Sequence, residues 1–170
     1  SSAINLSGYQ LKSTSVDSTN GTTSIQTYSL GSLDVPPDGY VILAGNVENM
    51  VQRGAQMLLV SSGNQVPYWT QNGFVEILKD NTTVDFVRFG TSTQIPVTSN
   101  KWTGSSATAL PWGTTNYGSA IVRLYPIRHD NDSATDWSFV PWVTPAGRND
   151  VISSADTDFD GIPDSAEVPG

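Results

Sequence analysis

The chain contains no cysteine, so its 170 residues can form neither disulfide bonds nor thiolate sites. Its stability must come from a hydrophobic core and hydrogen bonds, and a bound metal can brace only a local segment. Histidine is nearly absent too, since His129 is the single one. A Ser-His-Asp triad or a two-histidine metal site would have to use His129 or do without it. It lies in a polar run, which favours a surface loop.

Charged residues are scarce, at 14% of the chain, and the eight Lys and Arg residues are scattered singly. The formal charge is −8, but five of the sixteen acids lie between residues 156 and 167, so residues 1–155 carry only −3. Such a body has no basic patch for nucleic acid and does not attract an anionic membrane. We therefore expect no nucleic-acid partner.

Long apolar runs are also missing, since no stretch of eighteen apolar residues occurs. We therefore predict no membrane insertion. Residues 1–4 lack the basic and apolar regions of a signal peptide, so we expect a mature or excised chain. No Gly-rich phosphate loop or dinucleotide fingerprint is present, and we predict that the chain is not an enzyme. Abundant Ser, Thr, Asn and Gly are typical of a β-rich secreted module, here expected to be bacterial and either secreted or on the cell surface.

The most informative segment is the run DTDFDGIPDSAE, residues 156–167. Calcium takes six to eight oxygens, and a twelve-residue loop supplies them from positions 1, 3, 5, 7, 9 and 12, with glycine at position 6 for the turn. Gly161 occupies that sixth position. The predicted calcium ligands are Asp156, Asp158, Asp160, the backbone carbonyl of Ile162, Asp164 and Glu167. A solvated acidic tail is the alternative, which the spacing does not favour.

The flanks of this loop differ from those of an EF-hand. Residues 149–155 mix β-branched and Ser residues without helical periodicity, and Pro169-Gly170 would stop a helix after the loop. The amino-acid sequence of the loop instead resembles one calcium motif of thrombospondin type 3 repeats. In those repeats, consecutive motifs help to complete one another's calcium sites. This chain shows one motif, with Phe159 where those repeats more often have a small or polar residue. We expect an affinity in the range of about 10⁻⁴ to 10⁻³ M, as in extracellular modules.

The preceding part of the chain alternates short β-patterned runs with turn signals, which predicts an all-β sandwich. Strands are predicted at residues 9–12, 25–30, 40–44, 57–60, 74–78, 84–89 and 120–125. Residues 79–82 predict a tight hairpin turn, and residues 46–54 predict the one short helix. Residues 13–21, 91–119 and 126–149 are predicted to be mostly loop.

Several of these segments together resemble the lamin-tail domain. The resemblance is carried by NLSGYQL at 5–11, VPPDGYVIL at 35–43, FVEILKD at 74–80 with TVDFVRFG at 83–90, Arg123, Asp136-Trp137, and TPAGRN at 144–149. It implies an immunoglobulin-like β-sandwich of a kind found in bacterial secreted and cell-surface proteins. The fold class expected is therefore all-β, an immunoglobulin-like β-sandwich with at most one short helix, followed by a C-terminal calcium-binding loop.

One feature of that family is missing here. Its members usually begin with a strand ahead of the Leu-Ser-Gly turn, where this chain has only Ser1 to Ile4. A sandwich without this edge strand would leave backbone groups ready to pair with another chain. We expect the gap to be filled by an upstream segment, by a second copy in a strand-exchange dimer, or by an unusual local strand.

Three weaker patterns compete with the calcium loop. Asp130, Asp132 and Asp136 could form a second cation site, although they lack the turn glycine and the closing Glu. Glu76 and Asp85 could be paired for glycoside hydrolysis, but both fall at predicted sheet positions. The aromatic residues of the predicted loops could bind a sugar or a protein, or could simply plug the ends of the sandwich. These residues are Tyr68, Trp69, Trp102, Trp112, Tyr117, Trp137 and Trp142.

The sequence thus predicts a β-sandwich domain at residues 1–149 and a calcium-binding linker at residues 150–170. The expected function is that of a non-catalytic extracellular module in which Ca²⁺ orders the linker to neighbouring domains of the same parent protein. An adhesion or carbohydrate-binding module with aromatic loops, taking a protein or glycan ligand, is the alternative.

Overall fold

A computed structural model describes residues 2–16, 20–44, 56–59, 69–99, 102–109, 120–124 and 133–140. Within these ranges the chain forms ten strands and one helix of four residues. In chain order they are β1 Ile4–Asn5, β2 Tyr9–Val16, β3 Thr23–Ser29, β4 Asp34–Val35, β5 Val41–Ala44, β6 Gln56–Leu59, β7 Gly73–Lys79, β8 Thr82–Phe89, β9 Ala120–Arg123, α1 Ser133–Asp136 and β10 Trp137–Val140. The prediction of an all-β fold with at most one short helix is confirmed for these residues.

The largest sheet contains four antiparallel strands in the order β3-β2-β7-β8. Its β7–β8 hairpin closes through Asp80 and Asn81, whose φ angles are 48° and 63°. Two consecutive positive φ angles are the requirement of a type I′ turn, which Asn and Asp tolerate better than other side chains that carry a Cβ. The hairpin turn predicted at residues 79–82 is therefore confirmed.

One face of this sheet packs on a hydrophobic core centred on Leu11 and Leu30, which are 2% and 3% exposed. Val75 and Ile77 of β7 reach this core from within the sheet, while Leu43 of β5 and Leu58 of β6 reach it from a separate two-stranded sheet. Two layers of sheet thus share one core, as in a β-sandwich. Burying a leucine fully is worth about 1.5–3 kcal/mol, so this contact stabilises both layers.

The opposite face of the sheet is covered as well. Phe74 and Phe86 stack there with ring centroids 6.0 Å apart, and Trp102 meets Phe86 edge to face at 6.3 Å. Phe74 and Phe86 are almost completely buried. Trp102, which belongs to no strand, therefore helps to cover this face of β7, while Val75 and Ile77 on the other face are partly buried.

The β9–β10 pair lies beside β8. Leu124 N–H donates to the Asp136 carbonyl at 2.9 Å, which joins the end of β9 to the end of α1. Arg88 N–H of β8 donates to Ser133 Oγ at 3.2 Å, so the start of α1 is tied to the main sheet. These two bonds place β10, which pairs antiparallel with β9, against the four-stranded sheet.

Two predicted loops proved to be regular structure. Residues 13–16 extend β2, because all four pair with β3 and Ser13 also pairs with Val75 of β7. Ser13 and Ser15 alternate inward behind Leu11. Residues 133–140, predicted to be loop, form α1 and β10. In both places tertiary pairing satisfies the backbone of segments whose composition is typical of loops.

The chain start and the β5–β6 pair show two further features. Ile4 and Asn5 form β1, which pairs with Val35 and Asp34 of β4, so a short local strand occupies the place where the lamin-tail resemblance lacked one. Strands β5 and β6 pair in parallel. The segment that joins them contains the helix predicted at residues 46–54, which lies outside the described residues.

Replacing Gly90 by alanine tests the close packing at the end of β8. Gly90 has φ +64°, and an added Cβ would clash with Asn72 Oδ1 and lie 2.6 Å from the Gln71 carbonyl oxygen. We expect Gly90→Ala to lower the free energy of unfolding by about 2–4 kcal/mol, as measured by urea denaturation.

Gly31→Ala is the matched control. Gly31 has φ +69°, but nothing lies within 4 Å of an added Cβ. Only the left-handed backbone cost of roughly 1–2 kcal/mol should appear there. Equal losses in the two variants would show that the steric contact at Gly90 contributes nothing.

Candidate functional site

All six predicted calcium ligands, Asp156, Asp158, Asp160, Ile162, Asp164 and Glu167, lie outside the described residues. The calcium site therefore stays a prediction from the sequence. Within the described ranges, no group of three or more His, Asp or Glu side chains is placed to hold a metal ion. No helix in that part of the chain is long and apolar enough to cross a membrane.

Of the second cation pattern, only Asp136 is described, while Asp130, Asp132 and the neighbouring His129 lie outside. Asp136 ends α1 and is 6% exposed. Its Oδ1 lies 3.4 Å from the hydroxyl of Thr135, and its carbonyl accepts a bond from Leu124 N–H. Asp136 therefore contributes to the junction between α1 and β9.

Glu76 and Asp85 do lie on neighbouring strands, as predicted, but on opposite faces of the sheet. Glu76 is paired with Phe86, and the adjacent residue Ile77 is paired with Asp85. Because successive side chains in a strand point to opposite faces, the two carboxylates are directed away from each other. They cannot flank one glycosidic bond, so this pairing for glycoside hydrolysis is wrong.

Asp85 takes part in a bridge between β8 and the β9–β10 pair. Arg123 Nη1 lies 3.2 Å from Asp85 Oδ2, and the Arg123 guanidinium lies 5.8 Å from the centre of the Trp137 ring. An arginine can pair with a carboxylate and stack on an aromatic face at the same time. This arrangement gives Trp137, which is half-buried, a role in packing the edge of the sheet.

Glu76 is the most deeply buried charged side chain described, with 0% exposure. Its Oε1 accepts bonds from Thr83 Oγ1 at 2.7 Å and from Val97 N–H at 2.8 Å. Its Oε2 lies 3.9 Å from Lys12 Nζ, within ion-pair range but without a hydrogen bond. Residues 97–99 and Trp102, here called the covering segment, lie over this face of the sheet. Because unsatisfied buried polar atoms are costly, the bond from Val97 to Oε1 holds the covering segment to the sheet.

Thr83 and Thr98 extend this network. Thr83 N–H donates to Thr98 Oγ1 at 2.8 Å, and Thr98 N–H donates to Thr83 Oγ1 at 3.1 Å. The reciprocal pair and the Glu76 bonds join β8, β7 and residues 97–98 into one polar cluster. A charged residue between Val75 and Ile77 is the signal in the sequence that could have indicated it, since charges in buried strands need partners.

The aromatic residues that the structure describes divide into two groups. Trp102 packs on Phe86, and Trp137 lies under Arg123, so both are used in internal contacts. Trp69 is 39% exposed. Tyr68, Trp112, Tyr117 and Trp142 lie outside the described residues. The internal contacts favour a packing role for Trp102 and Trp137 over sugar binding.

An open groove of about 400 Å³ lies at the end of β8, beside Arg88. Two short segments form its walls and are joined by backbone bonds between Gly90 and Ala107 and between Ala107 and Arg88, both 2.9 Å. Ser106 Oγ donates to the Ser92 carbonyl at 2.7 Å, which adds a third link. Its lining residues are Arg88, Gly90, Thr91, Ser92, Thr93, Ser105 and Ser106.

Arg88 holds these walls through its side chain. Its Nη1 donates to the Gln94 carbonyl at 3.1 Å, and its Nη2 donates to the Gly104 carbonyl. No carboxylate of the described residues forms an ion pair with it. Sequence analysis missed this groove because Arg88 fits a strand pattern and the serines and threonines fit ordinary loops.

Comparisons of the chain with models of known protein families, with curated proteins and with solved structures gave no match.

Replacing Thr83 by valine tests the polar cluster around Glu76. Thr83→Val removes the hydroxyl that donates to Glu76 and accepts from Thr98 N–H. We expect a loss of about 2–3 kcal/mol in the free energy of unfolding. Amide exchange at Val97 and Thr98 should also become faster, because residues 97–98 lose their attachment to the sheet.

Thr82→Val is the matched control, since Thr82 is exposed and neighbours Thr83 on the same strand. Its effect should stay within about 0.5 kcal/mol. Equal stabilities of the two variants, with unchanged exchange at Val97 and Thr98, would contradict the role assigned to the cluster.

Proposed function

We propose that this chain is a non-catalytic module of a larger secreted or cell-surface protein, in which calcium orders the segment that follows the β domain. The observation that carries the proposal is the spacing of residues 156–167. Five acidic residues, a turn glycine and the backbone carbonyl of Ile162 occupy the positions that a twelve-residue calcium loop requires. The similarity of this loop to thrombospondin type 3 motifs supports the same proposal.

The proposed mechanism is electrostatic. Asp156, Asp158, Asp160, Asp164 and Glu167 place five carboxylates within twelve residues. Without a cation their charges repel one another, which opposes a compact loop. Calcium neutralises the carboxylates and fixes the direction in which the chain leaves the domain. The loop then acts as a metal-dependent brace between the domain and its neighbours.

An extracellular setting suits this mechanism. Loops of this kind bind calcium with dissociation constants of about 10⁻⁴ to 10⁻³ M in extracellular modules, where calcium is abundant. The sparse charge and the richness in Ser, Thr, Asn and Gly support a secreted β module. The resemblance to lamin-tail domains of bacterial surface proteins agrees with this setting and supplies the proposed immunoglobulin-like arrangement.

The contacts of Glu76 and Asp85 support the non-catalytic part of the proposal. Glu76 binds Thr83 and Val97, and Asp85 binds Arg123. Each of these two carboxylates stabilises a junction between elements of the fold. A general acid or base must instead reach a substrate proton.

The proposed partners are neighbouring domains of the same parent protein. A strand-exchange dimer is the alternative partner arrangement, and light scattering would detect it as a doubled mass. The short β1–β4 pairing supports a local strand at this place over an exchanged one.

Calcium titration of the whole chain, followed by calorimetry, tests the function. Wild-type protein should bind about one calcium ion per chain with a dissociation constant near 10⁻⁴ to 10⁻³ M. The double variant Asp158→Ala with Glu167→Gln should lose binding, because it removes the Asp158 carboxylate and replaces the bidentate Glu167 carboxylate with a neutral amide that has one oxygen.

Asp34→Asn with Asp38→Asn is the matched control, since it removes two acids from exposed positions of the β domain. It should bind calcium as the wild type does. Equal binding heats in wild type and in the loop variant would refute the proposed site.

A further inference from the structure

We propose that the groove beside Arg88 is a binding site for an acidic sugar, with the guanidinium recognising its sulfate or carboxylate and the surrounding hydroxyls recognising its hydroxyl groups. The groove lies within the β domain, and its lining residues are separate from the calcium loop. The inference therefore holds or fails independently of calcium binding.

The side chain of Arg88 is held in place at the groove. Its guanidinium carries five N–H donors in a fixed plane, of which one bond goes to the Gln94 carbonyl and one to the Gly104 carbonyl. Two carbonyls hold the group in one orientation without neutralising its charge, since a carbonyl is a dipole and not an anion. Arg88 is only partly buried and lines the groove, so a charged ligand can reach it.

Arginine side chains bind oxyanions preferentially. The fork of the guanidinium matches the paired oxygens of a carboxylate or sulfate, and bonds between ionised groups are about twice as strong as neutral ones. Orientation by the protein removes part of the entropic cost of binding, because the side chain is already held in place. An oxyanion is thus the ligand group that this wall of the groove is suited to bind.

The rest of the groove lining consists mainly of serine and threonine residues. Thr91, Ser92, Thr93 and Ser105 line the groove with hydroxyls that can donate and accept hydrogen bonds. Ser106 Oγ donates to the Ser92 carbonyl and can only accept from a ligand. A purely inorganic anion would use only the donor side of the other four hydroxyls. A sugar ring offers hydroxyls that both donate and accept, and a volume of about 400 Å³ is enough for one or two rings.

The walls of the groove are held rigidly together. The two walls are joined by the Gly90–Ala107 and Ala107–Arg88 backbone bonds and by the bond from Ser106 to Ser92. Thr91 N–H is held by Asn72 Oδ1 at 2.9 Å, which anchors the outer wall to the segment before β7. The groove therefore exists before a ligand arrives, as binding sites usually do.

The test is a titration of the full chain followed by the amide NMR signals of Thr91, Ser92, Ser105 and Ser106. The probes are a monosulfated disaccharide, a disaccharide carrying a uronic acid, their uncharged parent and inorganic sulfate. We expect the acidic disaccharides to shift these signals at low millimolar concentration, about tenfold lower than the parent or inorganic sulfate requires. Whichever of the two acidic disaccharides binds more tightly identifies the oxyanion.

Ser105→Asp is the diagnostic variant, because it introduces a carboxylate into the groove while leaving the wall contacts of Arg88 intact. Affinity for the acidic disaccharides should fall about tenfold or more. Thr93→Asp repeats the test from the opposite wall. Thr22→Asp, at an exposed position near the start of β3, adds the same charge outside the groove and should leave affinity within about twofold of wild type.

Three results would overturn the proposal. The first is the absence of shifts at the four amides with every probe in wild-type protein. The second is equal affinity for the charged disaccharides and their uncharged parent, which would exclude Arg88 as the recognition group. The third is an equal loss of affinity in Ser105→Asp and Thr22→Asp, which would reduce the effect to net charge.

Discussion

The described fold depends on β7, an inner strand of the four-stranded sheet with both faces largely covered. This strand is hydrogen-bonded to β2 on one edge and to β8 on the other. Val75 and Ile77 join the core on one face, while Phe74, Glu76 and Leu78 are buried on the other. Polar groups on such a strand lose contact with water and need partners within the protein. For Glu76 these are the Thr83 hydroxyl, the Val97 amide and, at ion-pair distance, Lys12.

The carboxylate of Glu76 has the largest consequences. It is buried within an otherwise apolar face, and the Thr83 hydroxyl and the Val97 amide satisfy one of its oxygens. This requirement brings residues 97–98 across the sheet and helps to position Trp102 against Phe86. Farther along, the chain returns to β8 at Ala107, where its bonds to Arg88 and Gly90 close the groove. The proposed sugar site is thus a by-product of how the covering segment is held.

The strand positions could be predicted from sequence because local patterns specify them. The alternation of residues 84–89 and the Asp80-Asn81 turn are properties of neighbours in the chain, and both predictions were confirmed. The loop predictions for residues 13–16 and 137–140 were wrong, because these strands form by pairing with other segments of the chain. The side chains of Glu76 and Asp85 point to opposite faces because of the register between β7 and β8. A bulge between Ile77 and Leu78 shifts this register.

The all-β class and the predicted calcium loop both follow from spacing within a few consecutive residues, so the amino-acid sequence was enough to predict them. Tertiary contacts were needed to show that Glu76 holds the covering segment, that Asp85 binds Arg123, and that Arg88 lines a groove rich in hydroxyl residues. Those features combine residues up to 38 positions apart. Periodicity reports which face of a strand is buried, but the folded chain alone decides which distant segment covers that face.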